Sequence, residues 1–154
     1  MRVEIDTLAP DFSLLNSERE MVTLSEFRQK NQVVLLFFPL AFSSVCTNEL
    51  CSIRDNLKMY REFQATVLGI SVDSFYSLNA FKKAQNINFA LLSDFNREVS
   101  SLYGTLYEDF NGMKGVSKRA SFVIDKNGYV RHREVLEDSG KLPDFQAIQK
   151  ALIS

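Results

Sequence analysis

The run Val33-Val34-Leu35-Leu36-Phe37-Phe38, closed by Pro39, restricts the fold more than any other segment of the chain. Its residues are β-branched, aliphatic or aromatic and do not alternate with polar ones. That pattern belongs to a strand buried on both faces, which needs packed layers above and below it. Proline then ends the strand, because it has no N–H to donate to a ladder. Over residues 44–63 the period changes: Cys46, Leu50, Ile53, Leu57 and Tyr60 recur three and four apart, one face of an amphipathic helix with Cys46 in its first turn.

The remainder repeats this strand-to-helix theme. A short strand is predicted at 12–15 and a second core strand at 66–72, followed by Asp73 or Ser74 as N-cap and a helix to about Asn86. Residues 120–125 and 129–136 flank Lys126-Asn127-Gly128, whose Asn-Gly pair signals a hairpin. A last helix is expected over 143–153, with Pro143 at its start, where a missing N–H matters little. The sum is an α/β domain with a central mixed sheet and helices on both sides. No repeat, low-complexity tract or linker interrupts it, so residues 1–154 read as a single domain.

Composition narrows the function classes. Eighteen basic against nineteen acidic side chains give a formal charge of −1, which leaves no electrostatic footprint for nucleic acid or an anionic membrane. No apolar stretch approaches the roughly 20 residues that span a bilayer, and the first residues lack the charged start and apolar run of a secretory signal. The expected setting is cytoplasmic. In a reducing compartment, two cysteines in a chain with 45% hydrophobic residues are inert or chemical rather than a disulfide scaffold.

The chemical candidates gather between Pro39 and Cys51. A cysteine in a helix's first turn meets the positive end of the macrodipole and unsatisfied backbone N–H groups, both of which favour the nucleophilic thiolate. Ser43 and Ser44 just before it add hydroxyls, although a serine there is also an ordinary helix cap, and a buried cysteine is also an ordinary small hydrophobe. Other chemistries lack their parts. Cys46, Cys51 and the lone His132 do not make the four ligands of structural zinc, and none of the six glycines forms a phosphate-binding loop. His132 reads as a strand surface residue, and Phe75, Tyr76 and Phe81 as core. A thioredoxin-like disulfide oxidoreductase would present Cys-x-x-Cys, which is absent. A redox-sensing or binding module on the same fold is the other class, although a binding role places no joint demand on Pro39, Ser43 and Cys46.

The spacing Pro39, Ser43, Cys46, with Glu49 three residues on, resembles the active-site loop Pro-x-x-x-Thr/Ser-x-x-Cys of the peroxiredoxin family. The likeness extends through Ala9-Pro10-Asp11-Phe12, Leu91-Leu92-Ser93-Asp94, Tyr103-Gly104, Gly115-Val116 and Phe122-Val123-Ile124-Asp125. It departs at Ser43, where Thr is commoner, and at Glu20, in a turn where relatives carry Gly. The resemblance implies the peroxiredoxin variant of the thioredoxin fold and a peroxidase acting on hydrogen peroxide or organic hydroperoxides through Cys46. It further implies recycling by thioredoxin or a similar dithiol, no metal or cofactor, and a homodimer formed through the loops around the site. By the same likeness Arg119 is the active-site arginine, Ser43 polarises the peroxide while accepting from a neighbouring N–H, and Pro39 shields the thiolate.

The resemblance leaves two routes for the oxidised cysteine. Cys46-Thr47-Asn48-Glu49-Leu50-Cys51 is similar to the bacterioferritin-comigratory, or Q-type, branch, in which Cys51 would resolve the sulfenic acid as an intramolecular disulfide. The preceding Phe37-Phe38-Pro39-Leu40-Ala41-Phe42-Ser43 is more like the one-cysteine alkyl hydroperoxidase E branch, resolved by an external thiol. Five residues along an ideal helix separate Cα atoms by roughly 8–9 Å, beyond the ~7 Å a disulfide tolerates. The first route therefore requires the helix to unwind.

Overall fold

The structure, a computed structural model, describes residues 3–153. Seven strands form one sheet in the order β2-β1-β5-β4-β3-β6-β7. They are β1 (Ser13–Asn16), β2 (Met21–Thr23), β3 (Gln32–Phe37), β4 (Ala65–Ser71), β5 (Ala90–Ser93), β6 (Arg119–Ile124) and β7 (Val130–Leu136). Strands β3, β4 and β5 run parallel, and the outer pairings are antiparallel, so the sheet is mixed as the sequence predicts. The helices are α1 (Ser44–Asp55), α2 (Leu57–Glu62), α3 (Phe75–Gln85), α4 (Glu98–Leu102) and α5 (Phe145–Ile153).

Strand β3 shows why its sequence does not alternate. Val34, Leu36 and the following Phe38 enter one core, with Leu50, Ile53, Tyr60, Phe81 and Ile148 from the helices on that side. Val33, Leu35 and Phe37 enter the other, with Phe12, Val99, Tyr103 and Phe122. Both faces are dry, so every position must be apolar.

Three local readings change. The helix predicted over 44–63 is two helices, because Asn56 leaves helical geometry at φ −114°, ψ 14°. Its side-chain amide donates to Ser52 O and its N–H turns to Ile53 O and Arg54 O, the competition with the backbone ladder that makes Asn a poor interior helix residue. The last helix starts at Phe145 rather than at Pro143: Asp144 accepts from the Ala147 N–H as a cap, and Pro143 precedes it. Of the two candidate caps for α3, Ser74 is the one used, accepting from the Ser77 N–H. In the hairpin after β6 only Gly128 takes positive φ, at 91°, and Asp125 Oδ1 accepts from the Asn127 and Tyr129 N–H groups. Glu20 needs no glycine, because the left-handed residue of its turn is Arg19 at φ 63°.

Candidate active site

The antiparallel register of β3 and β6 pairs Phe37 with Ala120, so Arg119, one residue earlier, stands at the carboxyl end of β3, where the chain turns through Pro39 into α1. This brings Arg119 to Cys46 across 73 positions of sequence. Arg119 Nη2 lies 3.3 Å from Cys46 Sγ, and the same nitrogen donates to Ser139 O at 3.0 Å. Arg119 Nη1 donates to Glu49 Oε1 at 2.5 Å. Cys46 and Glu49, on the inward stripe of α1, are wholly buried, and Arg119 of β6 is nearly so.

The electrostatics follow from one cation facing two acids. Burial pushes the Glu49 carboxyl up to about 7 against the lowering pull of Arg119. Burial also works against the Arg119 charge, but Glu49 and Cys46 outweigh it and hold the guanidinium above its ordinary value. Glu49 Oε2 and Arg119 Nε have no hydrogen-bond partner. The pair is therefore not saturated, and the arginine has charge to lend to sulfur.

Pro39, Ser43 and Arg119 line one cavity of about 130 Å³, together with Ser44, Val45, Phe110 and the Ser139-Gly140 turn. Cys46 does not line it, but Arg119, which does, touches the Cys46 sulfur. Pro39 is buried and Ser43 is exposed. Ser43 is the N-cap residue of α1 by position, yet its hydroxyl makes no capping bond and donates instead to Leu40 O at 2.9 Å. The expected acceptance from a neighbouring N–H is absent, so the cap does not claim the hydroxyl oxygen of this cavity-lining residue. The first intrahelical bond runs from Thr47 N–H to Ser43 O, so the amides of Ser44, Val45 and Cys46 precede the ladder, as the amides of a helix's first turn do.

The loop before α1 is fixed from outside. Asp73 Oδ2 accepts from the Ala41 N–H at 2.8 Å and from the Ser71 hydroxyl at 2.7 Å, so Asp73 anchors this loop rather than capping α3. Phe42 takes positive φ, 71°, with its ring edge-on to Phe81. Cys51 is half-buried, and both cysteines are free thiols. The Cys51 thiol faces Gln85 Oε1 at 3.6 Å, on α3, and not Cys46. His132 is half-buried on β7 with Nε2 3.2 Å from Ser121 Oγ, and burial lowers its pKa although Glu134 and Asp144 oppose this. Sequence reasoning gave no site role to Glu49 or Ser139, and it read Asp73 only as a candidate helix cap. Only Glu49 carries a signal, as an acid three residues from Cys46 on the apolar stripe.

Comparison with known proteins finds this chain similar to peroxiredoxins and alkyl hydroperoxide reductases. Residues 5–133 match the AhpC/TSA family. Alkyl hydroperoxide reductase E of Mycobacterium tuberculosis is 34% identical over 152 residues, covering 97% of this chain and 96% of its own. Peroxiredoxin Bcp of Escherichia coli is 37% identical over 128 residues, covering 81% of each. The crystal structure of peroxidoxin BcpB from Mycobacterium tuberculosis superposes with a TM-score of 0.85 at 29% identity, over 99% of this chain and 96% of that one. The sheet and its helices are thus the thioredoxin fold in its peroxiredoxin variant. Among the described residues no helix is long and apolar enough to cross a membrane.

Proposed function

The chain belongs to the AhpC/TSA family and is a thiol-dependent peroxidase, and from that premise we propose that Cys46 is the sulfur that attacks the peroxide and Cys51 the thiol that resolves it. The observation that carries the assignment is Arg119 Nη2 at 3.3 Å from Cys46 Sγ, in the first turn of α1. There a guanidinium and the first-turn amides stabilise negative charge on sulfur and on the oxygen that departs.

In the proposed cycle the Cys46 thiolate attacks the terminal oxygen of a hydroperoxide. The S–O bond forms as O–O breaks, the sulfur becomes a sulfenic acid, and the alkoxide or hydroxide leaves with a proton as alcohol or water. Arg119 stabilises the growing charge, the Ser43 hydroxyl oxygen accepts the peroxide's O–H at the cavity mouth, and Pro39 keeps bulk water from the sulfur. Cys51 then attacks the sulfenic sulfur, water leaves, and a Cys46–Cys51 disulfide forms once the first turns of α1 unwind. A dithiol protein such as thioredoxin reduces it, in the cytoplasm, where such donors are kept reduced. The whole chain acts as one domain, and exposed Phe42, Tyr76 and Phe95 supply apolar surface for a homodimer.

Mass spectrometry of the reduced protein after one equivalent of hydrogen peroxide tests this, beside Cys46→Ser and Cys51→Ser. The expected result is loss of two hydrogens and a peptide cross-linked between Cys46 and Cys51. Gain of one oxygen on Cys46 without a cross-link would instead assign resolution to an external thiol, and no change at Cys46 would remove its attacking role.

A further inference from the structure

Gln85, the last residue of α3, holds α1 with both of its oxygens. Its side-chain Oε1 faces the Cys51 thiol at 3.6 Å, and its main-chain O accepts from Arg54 Nη1 at 2.5 Å. Asn88 adds a third strap, donating from Nδ2 to Arg54 O at 3.3 Å. The Arg54 guanidinium also lies within electrostatic reach of Cys51. All three contacts fall on the stretch from Cys51 to Arg54 and none on Cys46. The residues just past Gln85 are themselves fixed: Asn86 is left-handed at φ 52° and Ile87 is buried. The strap is therefore tied to a rigid point.

We propose that Gln85 is a positioning residue for the resolution step, holding the Cys51 thiol and its helix turn in the reduced, helical form until that contact breaks. This rests on Cys51 being the resolving thiol. An S–H that donates to Gln85 directs its hydrogen toward α3 and away from Cys46. To attack the Cys46 sulfenic acid it must leave that acceptor, give up the proton and form the S–S bond as water departs from Cys46, and the hydrogen bond is part of the barrier to doing so. Gln85 has no contact with Cys46, Arg119 or the cavity, so it bears on the second step of the cycle and not on the first.

The test separates the two steps by rapid mixing with hydrogen peroxide, acid quench and mass spectrometry of the full chain. Sulfenic acid and disulfide are followed in the parent and in Gln85→Leu, which keeps bulk and removes the acceptor. A thiol is a weak donor, so one lost contact is expected to speed disulfide formation about threefold. Removing the Asn88 strap as well, in Gln85→Leu with Asn88→Ala, loosens the same helix turn without changing charge near Cys51 and is expected to raise it about tenfold. Sulfenic acid formation should match the parent in both, and sulfinic acid on Cys46 at excess peroxide should fall, because faster resolution leaves less sulfenic acid to oxidise. A merely structural role would disturb both steps. Disulfide formation at the parent rate in both variants would overturn the role of Gln85 while leaving Cys51 as resolver. Absence of any disulfide in the parent would overturn the resolving assignment, and this proposal with it.

Discussion

Glu49 and Arg119 meet at 2.5 Å with 0% and 1% of their side chains exposed, and the other side of the same guanidinium touches the Cys46 sulfur. Once Cys46 is a thiolate, a single buried cation serves two anions, and ionisation of Glu49 near pH 7 draws charge away from sulfur. The second-order rate of reaction with hydrogen peroxide is expected to show an inflection near that pH. In Glu49→Gln, which keeps the shape and an oxygen for Arg119, the inflection should vanish. Stopped-flow competition across the pH range measures it.

The same group makes stability depend on pH. Its folded pKa, about 7, is raised above the ordinary 4.5, so its contribution is fully present below about 4.5 and is lost as pH rises through about 7. Urea unfolding at about pH 5 and about pH 8 should show the parent losing on the order of 2 kcal/mol across the interval from this group. Glu49→Gln should lose less, and an equal loss in both would assign the pH dependence elsewhere.

Replacing Arg119 by Lys keeps a charge and loses the planar fork. A lysine cannot hold Glu49, the sulfur and Ser139 O at once, as the guanidinium does. The rate constant for peroxide is expected to fall by about 10²-fold, the scale of losing a preorganised donor at developing charge. Sulfenic acid trapping under second-order conditions gives the number.

Ser43 separates a chemical from a capping role. Because its hydroxyl makes no capping bond, Ser43→Ala should change stability by less than about 1 kcal/mol. Its reaction with peroxide should slow by about tenfold or more if the hydroxyl polarises substrate. Ser43→Thr, which keeps the hydroxyl, should react at the parent rate. Thermal melts beside peroxide kinetics on the three proteins make the comparison.

Much of the scaffold was legible because period and punctuation agree: the unalternating run of β3, the stripe from Cys46 through Tyr60, and Asn127-Gly128 each follow from local rules. What was not legible depends on distant neighbours. Arg119 reaches Cys46 only because β6 lies antiparallel beside β3, and no spacing rule carries that; likeness to a known loop supplied it. Asp73 read as a cap by residue type, and it is the tertiary position of Ala41 that claims its carboxylate. The break at Asn56 was hidden because the apolar stripe continues in phase across it, through Leu57 and Tyr60.

That break has a mechanical meaning. An uninterrupted helix would melt as one cooperative segment, and any unwinding begun at Cys46 would pull on Tyr60, which is buried 99% of the way in the core. With the ladder interrupted at Asn56, the twelve residues of α1 are a separate helical segment from α2, although Leu50 and Ile53 share one core with Leu57 and Tyr60. Under the proposed resolution by Cys51, the helix that must open during turnover ends at Asn56, so the backbone hydrogen bonds of α2 are not part of the segment that unwinds.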